Sequence, residues 1–250
     1  MPKIPTLLEL LQAGVHFGHK TTRRYPKMEP YIFGERSGIH IIDLDKTLSM
    51  LKKTVDSVRD MAARGSTILF VGTKKQAKDL VKKYAEQCNM PYVTNRWLGG
   101  TFTNFSEVSK QIRRYHDLKD MRDTGALARK YTKKEALQFE REIEELEDKI
   151  GGIANMKRLP DAVFIVDVKK EKTALTESLG REIPVIALMD TNVNPDFITY
   201  GIPSNDDSVK TLDMMIGTIS AAIKEGQANP IQPKQPVANE AKAKVVEAAN

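Results

Sequence analysis

Short, nearly continuous apolar runs alternate along this chain with stretches in which apolar residues recur three or four positions apart. The runs begin at Ile39 (IHIIDL), Thr67 (TILFVG), Pro91 (PYVT), Ala162 (AVFIVDV), Pro184 (PVIALMD) and Ile198 (ITYGIP), and each predicts a strand. Between them, Leu48, Leu51, Val55, Val58 and Ala62 make a helical stripe, as do Ala77, Leu80, Tyr84 and Cys88. A helix is predicted near Thr173 to Arg181, and a last one carries Val209, Leu212, Ile216, Ile219 and Ile223. Thr6 followed by Glu9 forms a capping box that opens a short helix through Ala13. Strands alternating with helices imply a parallel sheet covered on both faces, which explains why the strands are apolar throughout instead of every second residue. The fold class expected is α/β.

The rhythm breaks from Phe105 to Ile150, where no strand signal occurs. Phe105, Val108, Ile112 and Tyr115 form one thin stripe and Phe139, Ile143, Leu146 and Ile150 another, with a turn at Thr124 and Gly125. An inserted antiparallel helical hairpin of coiled-coil type follows, held largely by its own seam. Its charges are segregated: Lys110, Arg113, Arg114, Lys119 and Arg122 stand on the first part, and Glu140, Glu142, Glu144, Glu145 and Glu147 on the last. Residues 1–104 with 151–226 are thus expected to form the α/β body, 105–150 the protruding hairpin, and 227–250 a disordered tail poor in large apolar residues.

Composition narrows the function. The formal charge of +6 favours an anionic partner. A single cysteine, Cys88, excludes an intramolecular disulfide and a four-thiolate zinc site. No apolar run approaches the roughly 20 residues of a membrane span, and the N-terminal residues lack a signal-peptide core. A cytoplasmic protein without a membrane partner is expected.

The chemistry-bearing residues concentrate in a few places. Lys20, Arg23, Arg24, Lys27 and Arg36 are interleaved with Phe17, Tyr25 and Tyr31, which places phosphate-neutralising charge beside rings able to carry a base or sugar. Lys74 and Lys75 follow a strand and open a helix, where backbone N–H groups also favour an anion, and Arg96 precedes the only tryptophan. Trp97 reads as a core anchor, with Gly99 and Gly100 allowing unusual backbone angles. His16, His19, Asp190, Asp206 and Asp207 offer a divalent-ion set, the aspartates lying at or just after strand ends. Asp206 or Asp207 is equally suited to cap the last helix. A doubly wound nucleotide- or metal-dependent hydrolase using Lys74 and these aspartates is the rival reading. It lacks both GxxxxGK[ST] and GxGxxG, and no nucleophile is paired with a base.

Several blocks, AGVHFGHKT, PKMEPYIFGERSGIHIIDLDKT, ILFVGTKKQA, RWLGGTFTNF, LPDAVFIVD and IPVIALMDTNVNPDFITYGIPSNDDS, together closely resemble the second protein of the small ribosomal subunit, bacterial and organellar type. They run from about Leu7 to Gly226. The resemblance implies a non-enzymatic small-subunit component that requires no cofactor, with a flavodoxin-like sheet and a helical hairpin that contact small-subunit rRNA. It further implies contacts with neighbouring small-subunit proteins, among them the large mRNA-binding protein built of OB-fold repeats.

Overall fold

The computed structural model describes residues 4–231. Its first helix, α1 (Leu7–Ala13), begins at the expected box: the Thr6 side chain accepts from Glu9 N, Glu9 reaches back to Thr6 N, and Gly14 at φ 78° ends the helix. Next come β1 (Phe17–Lys20), β2 (Ile32–Arg36) and β3 (Ile39–Ile42), which form their own antiparallel sheet in the order β1-β3-β2. The Ile39 run was expected to start the parallel sheet; it instead forms the centre of this small one. The reason is the turn at Ser37 and Gly38, whose φ values of 53° and 75° close a two-residue hairpin pairing Arg36 with Ile39.

Asp43 then caps α2 (Leu44–Ala63), accepting from the backbone of Asp45 and Lys46. The remaining strands, β4 (Ile68–Val71), β5 (Tyr92–Val93), β6 (Ala162–Ile165), β7 (Val185–Met189) and β8 (Tyr200–Pro203), are parallel and ordered β5-β4-β6-β7-β8. This is the flavodoxin-like order, in which the direction of winding reverses between β4 and β6. Alternate residues of β4 serve different cores. Ile68 and Phe70 face one that is completed by α1, α2, α3 (Lys78–Gln87) and α8 (Val209–Ala228). Leu69 and Val71 face another that includes Trp97, Phe102 and α7 (Lys172–Gly180).

The insertion consists of α4 (Phe105–Asp123), the short α5 (Ala126–Lys130) and α6 (Lys133–Ile150), with Gly125 at φ 69° between the first two. The Arg114 guanidinium donates to Glu142 at 3.0 Å across the pair, so the basic and acidic arms do face each other. The hairpin is less self-contained than its thin stripes suggest. Val108, Ile112, Tyr115, Leu118, Ile143 and Ile150 are buried in the same core as Leu69 and Val163 of the sheet.

At the other end, α8 continues through Ala228, and the Gln227 amide donates to the Cys88 carbonyl at 2.9 Å. The expected disordered tail therefore starts too early at 227, and its residues 232–250 lie outside the described part. Among the described residues, no helix is long and apolar enough to cross a membrane.

Candidate nucleic-acid interface and carboxylate cluster

The C-terminal ends of the parallel strands bring together side chains far apart in sequence. Lys74, just beyond β4, places its ammonium 2.8 Å from Asp206, 2.7 Å from Asp207 and 3.4 Å from Asp167. His19, at the end of β1, sets Nδ1 2.9 Å from Asp190 and Nε2 3.9 Å from Asp207. Burial, with the charges of Asp167 and Asp190, pushes Asp206 up to about 7, while the Lys74 ammonium opposes that shift. Burial also works against the charged form of Lys74, but its hydrogen bonds to Asp206 and Asp207 win and hold it above the usual lysine value. The bond to Asp190 raises His19 in the same way, against the effect of its own burial.

His19, Asp206 and Asp207 each offer a ligand atom, all within 4.8 Å of one another, a nitrogen and oxygen set that fits a divalent ion. Asp190 reaches this group through His19. His16 is not in it; its ring packs on Phe17 at a centroid distance of 4.0 Å, and burial lowers its pKa. Asp206 and Asp207 do not cap α8. Ser208 holds the cap position, and the two carboxylates turn back to Lys74 instead. An ammonium within reach outcompetes exposed helix N–H groups for a charged oxygen.

The nucleotide-like turn after β4 is filled from within. Thr73 N and Oγ1 donate to the buried Glu171 carboxylate at 2.9 and 2.5 Å, and Lys170 Nζ donates to Thr73 O at 2.9 Å. An anion from the chain itself thus occupies the backbone donor that a phosphate would need, and Lys74 is committed to aspartates. Glu171 carries no local sequence signal, because the donors it satisfies come from 98 residues away.

The basic segment lies against this edge. Lys20 ends β1, and two 3-10 turns, Thr21–Arg23 and Pro26–Tyr31, carry Arg23 and Lys27, with Arg24 in extended backbone between them. Backbone bonds fix it to the strand β7 exit: His19 N donates to Thr191 Oγ1 at 3.0 Å and Tyr25 N to Thr191 O at 2.8 Å. Gly18 makes that approach feasible, since a Cβ there would sit 2.6 Å from the Thr191 methyl. Lys20, Arg23, Arg24, Lys27 and Arg36 are exposed and Tyr25 is half-buried. Lys27 meets Asp196, and Arg24 lies 3.6 Å from Glu29. Such exposed pairs are weak and easily exchanged for a phosphate. On the same small sheet Phe33 is 80% exposed and Phe17 48%, leaving two rings open to a partner.

Arg96 and Lys75 are also exposed, on neighbouring loops, whereas Trp97 is buried. The Trp97 ring meets Phe102 edge-on at 4.9 Å, and its Nε1 donates to Glu177 at 3.2 Å. Glu177, on α7, further accepts from Gly100 N at 2.8 Å, Phe102 N at 2.9 Å and Thr103 N at 3.2 Å. Burial alone would raise this carboxyl, but the bonds from Phe102, Gly100, Trp97 and Thr103 hold it below its ordinary range. Of the double glycine expected to supply unusual backbone angles, Gly100 adopts the left-handed conformation at φ 92°, whereas Gly99 does not have a positive φ.

Comparison with known proteins covers all of these features. A family model described as Ribosomal protein S2 matches residues 10–226. The small ribosomal subunit protein uS2 of Campylobacter curvus is 50% identical over 223 residues, spanning 89% of this chain and 84% of that protein. The uS2 of Campylobacter fetus subsp. fetus is 47% identical over 245 residues, 96% of this chain and 95% of its own length. That of Nitratiruptor sp. is 50% identical over 222 residues, 89% and 83% respectively. A match that spans the small sheet, the parallel sheet, the hairpin and the carboxylate cluster means that this chain belongs to the ribosomal protein S2 family, a family of structural ribosomal proteins and not of enzymes.

Proposed function

We propose that this chain is the uS2 component of the small ribosomal subunit in the cytoplasm, where it supports translation by binding small-subunit rRNA and neighbouring proteins. The observation that carries the reading is the segment from Lys20 to Arg36, whose exposed cations are strapped to a rigid sheet edge by Thr191. Cations held in fixed positions suit the shape of a folded RNA; phosphate contacts of this kind position a protein without reading bases. Lys20, Arg23, Arg24, Lys27 and Arg36, with Lys75 and Arg96, are the phosphate contacts, and Tyr25 supplies a ring edge among them. Lys74 has the different task of neutralising the aspartates. The body, residues 1–104 with 151–226, carries these contacts, while the hairpin 105–150 projects toward protein neighbours. The exposed rings of Phe17 and Phe33 fit a protein partner, and among the neighbours the large mRNA-binding protein of OB-fold repeats is the one expected there. A divalent ion held by His19, Asp206 and Asp207 would offset the surplus of carboxylates beside that surface.

Reversing charge at Arg23 and Arg24 to glutamate tests the reading. Incorporation into small subunits should fall while the isolated protein stays folded; unchanged incorporation would remove this segment from the interface.

A further inference from the structure

The loops that meet where winding reverses sort their charges by side. In the sequence Asp167 to Lys172, the acids turn inward: Asp167 and Glu171 are 8% and 3% exposed, and they bind Lys74 and Thr73 respectively. The lysines of the same loop are exposed. Lys170 lends its ammonium to Thr73 O and so ties this loop to the one after β4. Lys169 and Lys172 are exposed beside it, as is Lys75 on the facing loop. Arg96 joins from the β5 exit, where the adjacent Asn95 accepts from Lys78 of α3 at 2.8 Å. Among the described residues, Lys75, Lys169, Lys172 and Arg96 have no ion-pair partner, whereas Lys110, Arg114 and Lys149 of the hairpin pair with Glu107, Glu142 and Glu145. Buried acids organise the loops, and the lysines are left on the outside.

We infer that Lys75, Lys169 and Lys172, with Arg96, form a second RNA-backbone contact surface, a collar around the sealed turn between β4 and β6 and separate from the segment Lys20 to Arg36. This rests on the rRNA-binding reading and extends it from Lys75 and Arg96 to Lys169 and Lys172, joining the four into one surface. The chemistry recognised is a run of phosphates. The collar offers several ammonium groups, and among the described residues none of the exposed large apolar side chains lies on its loops, so it fits the sugar-phosphate backbone better than an acidic protein face. Lys75 and Lys169 lie on the two loops that Glu171 and Lys170 tie together, and Lys172 opens α7 directly after them, so the positive charge is held over a fixed scaffold.

The test compares the full chain with the triple variant Lys75→Ala, Lys169→Ala, Lys172→Ala and with Arg23→Ala, Arg24→Ala, using purified small-subunit rRNA over a range of salt. Each phosphate contact removed should lower the slope of log affinity against log salt by roughly 0.7 to 0.9. The collar triple should therefore lose a slope of about 2 and at least about tenfold in affinity at moderate salt. Arginine in place of all three lysines should restore both. A triple variant with wild-type slope while the Arg23 and Arg24 variant is impaired overturns the collar alone. Unchanged binding by both variants overturns the rRNA reading itself. If rRNA affinity holds but the triple loses a ribosomal protein from reconstituted subunits, the surface belongs to a protein, and the inference fails as well.

Discussion

Removing the Glu177 carboxylate should destabilise the fold more than almost any other single change at a polar residue, because four N–H donors and the Thr103 hydroxyl converge on it from one loop. Glu177→Ala strands Phe102 N, in a residue with no exposed surface, and Trp97 Nε1, in one only 7% exposed, while Gly100 N and Thr103 N can recover water. A buried donor left without a partner costs ~1–3 kcal/mol, and bonds to a charged acceptor contribute ~1.5–3 kcal/mol each. The expected loss is therefore about 3–5 kcal/mol, most of it from the two buried donors. At ~2–4 °C per kcal/mol for a chain of this size, Tm should fall by roughly 10 °C. Glu177→Gln keeps one acceptor oxygen but aims an NH2 at donors, and should give an intermediate loss of about 2 kcal/mol. Because the folded carboxyl lies below its ordinary value, its contribution is complete above the unfolded carboxylate pKa of roughly 4.3 and disappears as pH falls through the lower folded value. Urea titrations of the three proteins from neutral pH downward check both points. The gap between wild type and Glu177→Ala should be constant near neutrality and close only in acid. A variant within about 0.5 kcal/mol of wild type at neutral pH would refute the assignment of this carboxylate as the organiser of the Trp97 loop.

Three further outcomes follow from the same geometry. Lys74→Ala leaves Asp206 and Asp167 facing each other without their cation, and should cost about 3 kcal/mol in denaturant titration, yet leave the salt dependence of rRNA binding as it was. Gly226→Ala places a methyl against the Arg59 carbonyl oxygen where α8 crosses α2, and should cost about 1–3 kcal/mol, whereas Gly180→Ala meets nothing within 4 Å and should be neutral or stabilising by about 0.5 kcal/mol. Equilibrium dialysis against Zn2+ should find stoichiometric uptake by the intact chain and none by His19→Ala with Asp207→Asn; equal uptake by both would remove these ligands.

Local patterning made the strands and helices legible because each apolar run or stripe reports its own burial. It also led to the α/β class, since strands covered on both faces have no polar side to show. Pairing is another matter. That Ile39 to Ile42 belongs to a separate antiparallel sheet depended on Ser37 and Gly38 adopting left-handed conformations, a signal present in the residues but weaker than Asn-Gly. The resemblance to a family named the partner class, whereas periodicity alone reached only a basic protein with an anionic ligand. The carboxylates were least legible. Asp206 and Asp207 sit in a sequence that reads equally well as a helix cap, and the lysine that claims them is 132 residues from Asp206. Glu171 and Glu177 look like ordinary helix-surface acids until the fold brings backbone donors to them across 98 and about 75 residues. Lys169 and Lys172 gave no sequence signal of their own; only the inward turn of Asp167 and Glu171 sets them apart on the outer side of the loop.

Sedimentation of the native protein on a sucrose gradient tests the central claim most directly. The account predicts that the full chain travels with the small subunit and that reversing Arg23 and Arg24 shifts it toward the top. A native chain found only in the free-protein fractions of cells with intact small subunits would contradict it.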